Sequence, residues 1–255
     1  MKIKCFILVL GVISNIIILG DYWVRAEGVE NNEIKGNLQM VPNLDSVDPL
    51  DPTDPNCPTH PTDCTNTKGP EYSTGGPLSI DFASSIVFGR NRISNKDMTY
   101  FANPQHIVFD NGTEKEVPDY VQVTDHRGSN AGWQLQVKQE HQLESSTPNY
   151  KVLKGAEIRL SKMHAVSNQS NVSSVDVPDT PEVVLIPGKA SDVMRASQGS
   201  GGGTWIDVFG ELQKVKVDKK NILKNPSVSL SIPGKTPKDA VTYRSSLTWT
   251  LIDSP

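Results

Sequence analysis

Tyr243, Ser245, Leu247, Trp249 and Leu251 alternate along the chain with Arg244, Ser246, Thr248, Thr250 and Ile252. A period of two sends the first set to one side of an extended backbone and the second set to the other, the pattern of a half-buried β-strand. Gly132-Trp133-Gln134-Leu135-Gln136-Val137-Lys138 repeats the device, with Trp133, Leu135 and Val137 on one face and polar groups opposite. Two strands far apart in sequence therefore each put a Trp and a Leu on one side of a sheet. The sequence does not say whether these strands are neighbours.

From Leu78 onward, short segments rich in β-branched and aromatic residues recur between turn residues such as Asp110-Asn111-Gly112 and Gly210. They run over residues 78–82, 85–88, 106–109, 120–124 and 133–138, then 156–160, 183–186, 204–209, 228–232 and 241–252. About ten strands with no amphipathic helix predict an all-β fold, a single β-sandwich or barrel-like domain over residues 78–255. Residues 161–181 read as a polar excursion, and Ser200-Gly201-Gly202-Gly203 as a flexible turn.

The other end is different in kind. Lys2 and Lys4 precede an apolar run from Cys5 to Leu19, and Val24-Arg25-Ala26 places small residues for cleavage after Ala26. This predicts a signal peptide over 1–26, because the run is short for a membrane span. Cleavage removes Lys2, Lys4 and Arg25 against Asp21, taking the net charge from −4 to −6. So acidic a protein has no general attraction for nucleic acid or anionic lipid. Residues 27–77 hold eight of the eighteen prolines, including Asp48-Pro49, Asp51-Pro52 and Asp54-Pro55. Pro fixes φ and extends the residue before it, so this stretch reads as a disordered, stiff Pro-rich linker without a core. Cys57 and Cys64 then form a candidate disulfide in an exported chain. A metal site with His60 lacks the further ligands that zinc needs, and no metal or other cofactor is expected. With no apolar tail or sorting motif before Pro255, any attachment to a cell surface is expected to come from binding.

The paired motifs Trp133-Gln134-Leu135 and Trp249-Thr250-Leu251 resemble the WxL-domain cell-surface proteins of Gram-positive bacteria. Leu78-Ser-Ile-Asp-Phe82, Asp125-His-Arg127-Gly128 leading into Gly132-Trp133, Gly203-Thr204-Trp205 and the ending Asp253-Ser-Pro255 are similar to that family as well. The resemblance spans roughly residues 75–255. It implies a secreted protein held non-covalently on the wall by binding peptidoglycan. It also implies membership of surface complexes with an anchored protein or other WxL proteins, and in some members adhesion to host matrix proteins.

Each candidate site residue has a structural and a functional reading. Trp133, Leu135, Trp249 and Leu251 either form core or touch ligand, with an indole stacked on sugar and Gln134, Gln136, Thr248 and Thr250 bonding to hydroxyls and peptide stems. Asp125 and Arg127 either fix a turn or orient a ligand carboxylate, for which Arg is suited. Lys214, Lys216, Lys219 and Lys220 begin a basic run reaching Lys238, which either guards a strand edge or contacts anionic wall polymers. No Gly-x-Ser-x-Gly or His-Glu-x-x-His motif occurs, and the five histidines lack metal spacing, so no enzyme is expected. The competing functional reading is a docking module, held at the wall through another protein.

Overall fold

A computed structural model of the chain describes residues 38–62, 73–146, 149–170, 172–173, 175–217 and 219–253. The chain divides into Met1–Gln39 and Met40–Pro255, and every strand belongs to the second unit. The signal peptide expected over 1–26 lies outside the described residues.

The described residues form seventeen strands and no helix. β1 (Leu50–Asp51), β2 (Asp54–Pro58) and β3 (His60–Thr62) come first. β4 (Leu78–Ala83), β5 (Met98–Ala102), β6 (Gln105–Val108) and β7 (Glu114–Val117) lead to β8 (Tyr120–Asp125) and β9 (Trp133–Gln139). β10 (Glu157–Leu160), β11 (Met163–Ser167), β12 (Val183–Leu185) and β13 (Ala190–Ala196) precede β14 (Gly203–Phe209). A hairpin of β15 (Gln213–Val217) and β16 (Lys220–Ile232) is followed by β17 (Leu247–Asp253).

The strands build a four-stranded sheet ordered β11-β14-β8-β4 and a three-stranded sheet ordered β13-β9-β17. A third sheet runs β12-β10-β16-β15, with β5 also paired to β16, and the smaller sheets are β3-β6-β7 and β1-β2. All these pairings are antiparallel, and no sheet closes into a barrel. The all-β expectation holds; its barrel-like variant does not.

β8 and β14 form the middle layer. Every residue of β8 is buried, and so is all of β14 after Gly203. Val121, Val123, Trp205 and Phe209 face the main core, which they share with Trp133, Leu135, Ile158 and Leu230. Tyr120, Ile206 and Val208 face a second core with Phe82, Ile107 and Leu50. Burial on both faces removes the alternation that marks a one-sided strand.

Three expectations are changed, the first being the polar excursion over 161–181, in which Met163–Ser167 is β11 and pairs with β14. Ser85–Phe88 is not a strand: it lies in a stretch that joins no ladder, although Val87 O accepts a hydrogen bond from Asn103 N at 2.7 Å. The stretch read as a coreless linker is paired from Leu50 to Thr62, where β1 meets β2 and β3 meets β6. The cause sits on β8, where Gln122 Oε1 accepts from Leu50 N at 2.8 Å and Gln122 Nε2 donates to Asp48 O at 3.1 Å. Leu50 enters the second core, and Lys115 Nζ donates to buried Asp51 Oδ2 at 2.5 Å. The prolines of β2 and β3 occupy edge strands, where a missing N–H costs no ladder bond.

Candidate functional site

The two Trp-x-Leu strands are neighbours. β17 runs antiparallel to β9 with Leu251 opposite Leu135, Trp249 opposite Val137 and Asp253 opposite Trp133. Trp133 and Leu135 are 0 % exposed, and Trp133 Nε1 donates to Gly201 O at 2.9 Å. Full burial of side chains this large stabilises by about 1.5–3 kcal/mol each. Gly201, at φ 78°, is what lets the loop close over the indole: a Cβ there would lie 2.8 Å from Trp133 Nε1 and would strike the Ala196 side chain. The stretch read as a flexible turn is thus a fitted cover for Trp133.

Trp249 and Leu251 are half-buried and pack on the same core, with the Trp249 ring stacked on Phe209 at 6.4 Å between centroids and 15° between planes. Geometry therefore separates what the sequence had put together. The indoles and leucines turn inward, while Gln134, Gln136, Lys138, Thr248 and Thr250 occupy the opposite face of the same two strands. β13 extends that outer face, with Asp192 beside Gln136 and Arg195 beside Gln134. Gln136 Nε2 donates to Asp192 Oδ1 at 2.8 Å, and Arg195 Nη2 donates to Asp192 Oδ2 at 3.0 Å. The result is a three-strand surface of hydroxyl, amide and charged groups with exposed Ile252 beside Gln134, held by a Trp-Leu underside that packs on the core. Lys138 was legible from the alternation of β9. Asp192 and Arg195 were not, because a register shift between Asp192 and Met194 breaks the alternation of β13.

Asp125 and Arg127 come together as a clamp. Arg127 Nε and Nη2 donate to the two Asp125 carboxylate oxygens at 3.0 and 2.8 Å, and Nη2 also donates to Gly132 O at 2.9 Å. Nη1 donates to Asp253, which ties the end of β17 to the loop before β9. Contact with Asp125 raises the Arg127 pKa further, so the guanidinium stays charged. Its donors are committed inside the chain.

Lys214, Lys216, Lys219 and Lys220 are exposed on the β15–β16 hairpin, where β15 is the sheet edge. Cys57 Sγ donates to Asp54 Oδ2 at 3.3 Å; Cys64 lies outside the described residues, and with it the expected disulfide. Two buried acids mark the middle layer. Burial pushes the Asp119 carboxyl up to about 7 against the hydrogen bond from Asn225 Nδ2 at 2.9 Å, and pushes Asp207 well above the usual range. The two Asp207 carboxylate oxygens find no hydrogen-bond partner among the described residues. Neither acid borders the outer face.

The described residues form an all-β module in which the two Trp-x-Leu strands pair, with their Trp and Leu side chains turned to the core. The family model for the WxL domain, described as surface cell wall-binding, matches residues 27–255, and the chain belongs to that family. Curated proteins and solved structures give no match. Membership makes this a protein of the cell surface, associated with the wall.

Proposed function

We propose that the chain is exported by cleavage after Ala26 and held non-covalently on the wall by peptidoglycan, bound on the outer face of the β13-β9-β17 sheet. The observation that carries this reading is the in-register pairing of β9 with β17, which buries Trp133 and Leu135 and presents Gln134, Gln136, Thr248 and Thr250 as one rigid surface. Hydroxyls and amides spaced by a sheet suit the hydroxyls, acetamido groups and peptide stems of a wall polymer, because each bond forms without ordering the protein first. Arg195 and Lys138 border the same face, each already in an ion pair, with Asp192 at 3.0 Å and Glu140 at 2.7 Å. The tryptophans act beneath the surface by fixing its geometry.

The lysines of the β15–β16 hairpin add contact with anionic wall polymers. Co-sedimentation of residues 27–255 with protein-free walls tests both parts, since no protein partner is present there. Binding to bare peptidoglycan is expected to persist at raised ionic strength. The extra binding to walls that keep their anionic polymers is expected to fade with salt and with Lys214, Lys216, Lys219 and Lys220 changed to Ser. Absence of binding to either preparation would overturn direct attachment and leave the docking module.

A further inference from the structure

The side of β17 that faces away from β9 is an open strand edge. Glu140 N donates to Ser246 O at 2.9 Å, which sets the phase of the ladder. Thr248, Thr250 and Ile252 then turn their main-chain groups to β9, and Leu247, Trp249, Leu251 and Asp253 turn theirs outward. The bond from Gly188 N to Gln139 O at 2.7 Å, on the other side of β9, agrees with that phase. None of the four outward residues has a main-chain partner there among the described residues. Strand edges are usually protected by Lys, Pro or a bulge. β17 contains no Lys and no Pro, and its pairing with β9 has no register shift.

The first half of the strand, Leu247, Thr248 and Trp249, lines a cleft of about 2320 Å³ together with the segment running from Ala83 to Ile93. Ile80, Ile86, Phe88, Tyr243, Leu247 and Trp249 line the walls. Arg90, Lys151 and Arg244 are exposed on the same walls, without an acidic partner among the described residues. Two acids line the same walls and are outnumbered by these three cations: Asp239, whose Oδ2 accepts from Asn149 N and Tyr150 N at 3.2 and 2.8 Å, and Glu144, opposite Arg244 in a β-bridge. An unprotected edge, an apolar wall and unpaired cations occur together.

We propose that this cleft receives an extended acidic polypeptide strand from a partner protein, which adds to the sheet beside β17. Its main chain bonds to the outward groups of Leu247, Trp249 and Leu251. Alternate apolar side chains enter the cleft, and carboxylates meet Arg90, Lys151 and Arg244. A second copy of β17 fits less well, because its one carboxylate, Asp253, is held by Arg127. This site is the edge of the sheet whose face was assigned to the wall, so either assignment can fail without the other.

The test is fluorescence anisotropy of residues 27–255 with a labelled peptide of alternating Val and Glu, and no wall material. Binding is expected to weaken by about tenfold or more, the equivalent of about 1.4 kcal/mol, when alternate peptide nitrogens are methylated. The Arg90→Glu/Arg244→Glu variant is expected to lose the acidic peptide and gain a Val-Lys peptide. Failure of the acidic peptide to bind, equal binding of the methylated peptide, or a dimer of the protein that excess peptide leaves intact would each overturn the proposal.

Discussion

Trp133 and Trp249 share a motif but not an environment. Trp133 is enclosed, bonded through Nε1 and capped by Gly201, whereas Trp249 stands half-buried on an edge strand against Phe209. Trp133→Ala is expected to cost about 3–5 kcal/mol by urea denaturation, and Trp249→Ala clearly less. Equal costs would contradict the difference in packing. The buried acids make a separate prediction. Folded-state pKa values above the unfolded ones mean that the native state binds more protons, for Asp119 between about pH 4 and 7, so stability falls as pH rises through its window. Each such group contributes roughly 1 kcal/mol per pH unit while it titrates. The protein is expected to melt at a higher temperature at pH 5 than at pH 7.5, with the difference shrinking in Asp119→Asn and Asp207→Asn. A difference that survives both substitutions would place the titration elsewhere.

At the level of elements, strands with a clear apolar alternation or apolar-rich run were legible from sequence, whether buried on one face or on both. β9 and β17 announce themselves through alternation, and β14 through its apolar run. β7, Glu114-Lys-Glu-Val117, is short and polar, and the alternation of β13 is broken by a register shift, so their pairing is decided by neighbours far away in sequence. β1 to β3 were hidden by proline, a residue that edge strands tolerate. What makes Leu50–Thr62 part of the fold is Gln122, a side chain on β8 that sequence could not connect to it. A chain beginning at Met40 is therefore expected to melt with the chain beginning at residue 27, while one beginning at Ser73 melts several degrees lower by losing Leu50 from the second core. Equal melting of all three would return the segment to a spacer.

For the molecule as a whole, the sequence identified the residues of the motif but not the separation of their roles. Alternation puts Trp133 and Gln134 on opposite faces, yet only the pairing of β9 with β17 shows that one face is core and the other a continuous polar surface with β13. The measurement that bears most directly on this account is co-sedimentation of Gln136→Ala/Thr250→Ala with bare peptidoglycan, beside its melting curve. Both side chains lie on the outer face, so the variant is expected to melt within a few degrees of the parent and to bind at least about tenfold more weakly, a loss of about 1.4 kcal/mol. A folded variant that binds as well as the parent would contradict the assignment of that face to the wall.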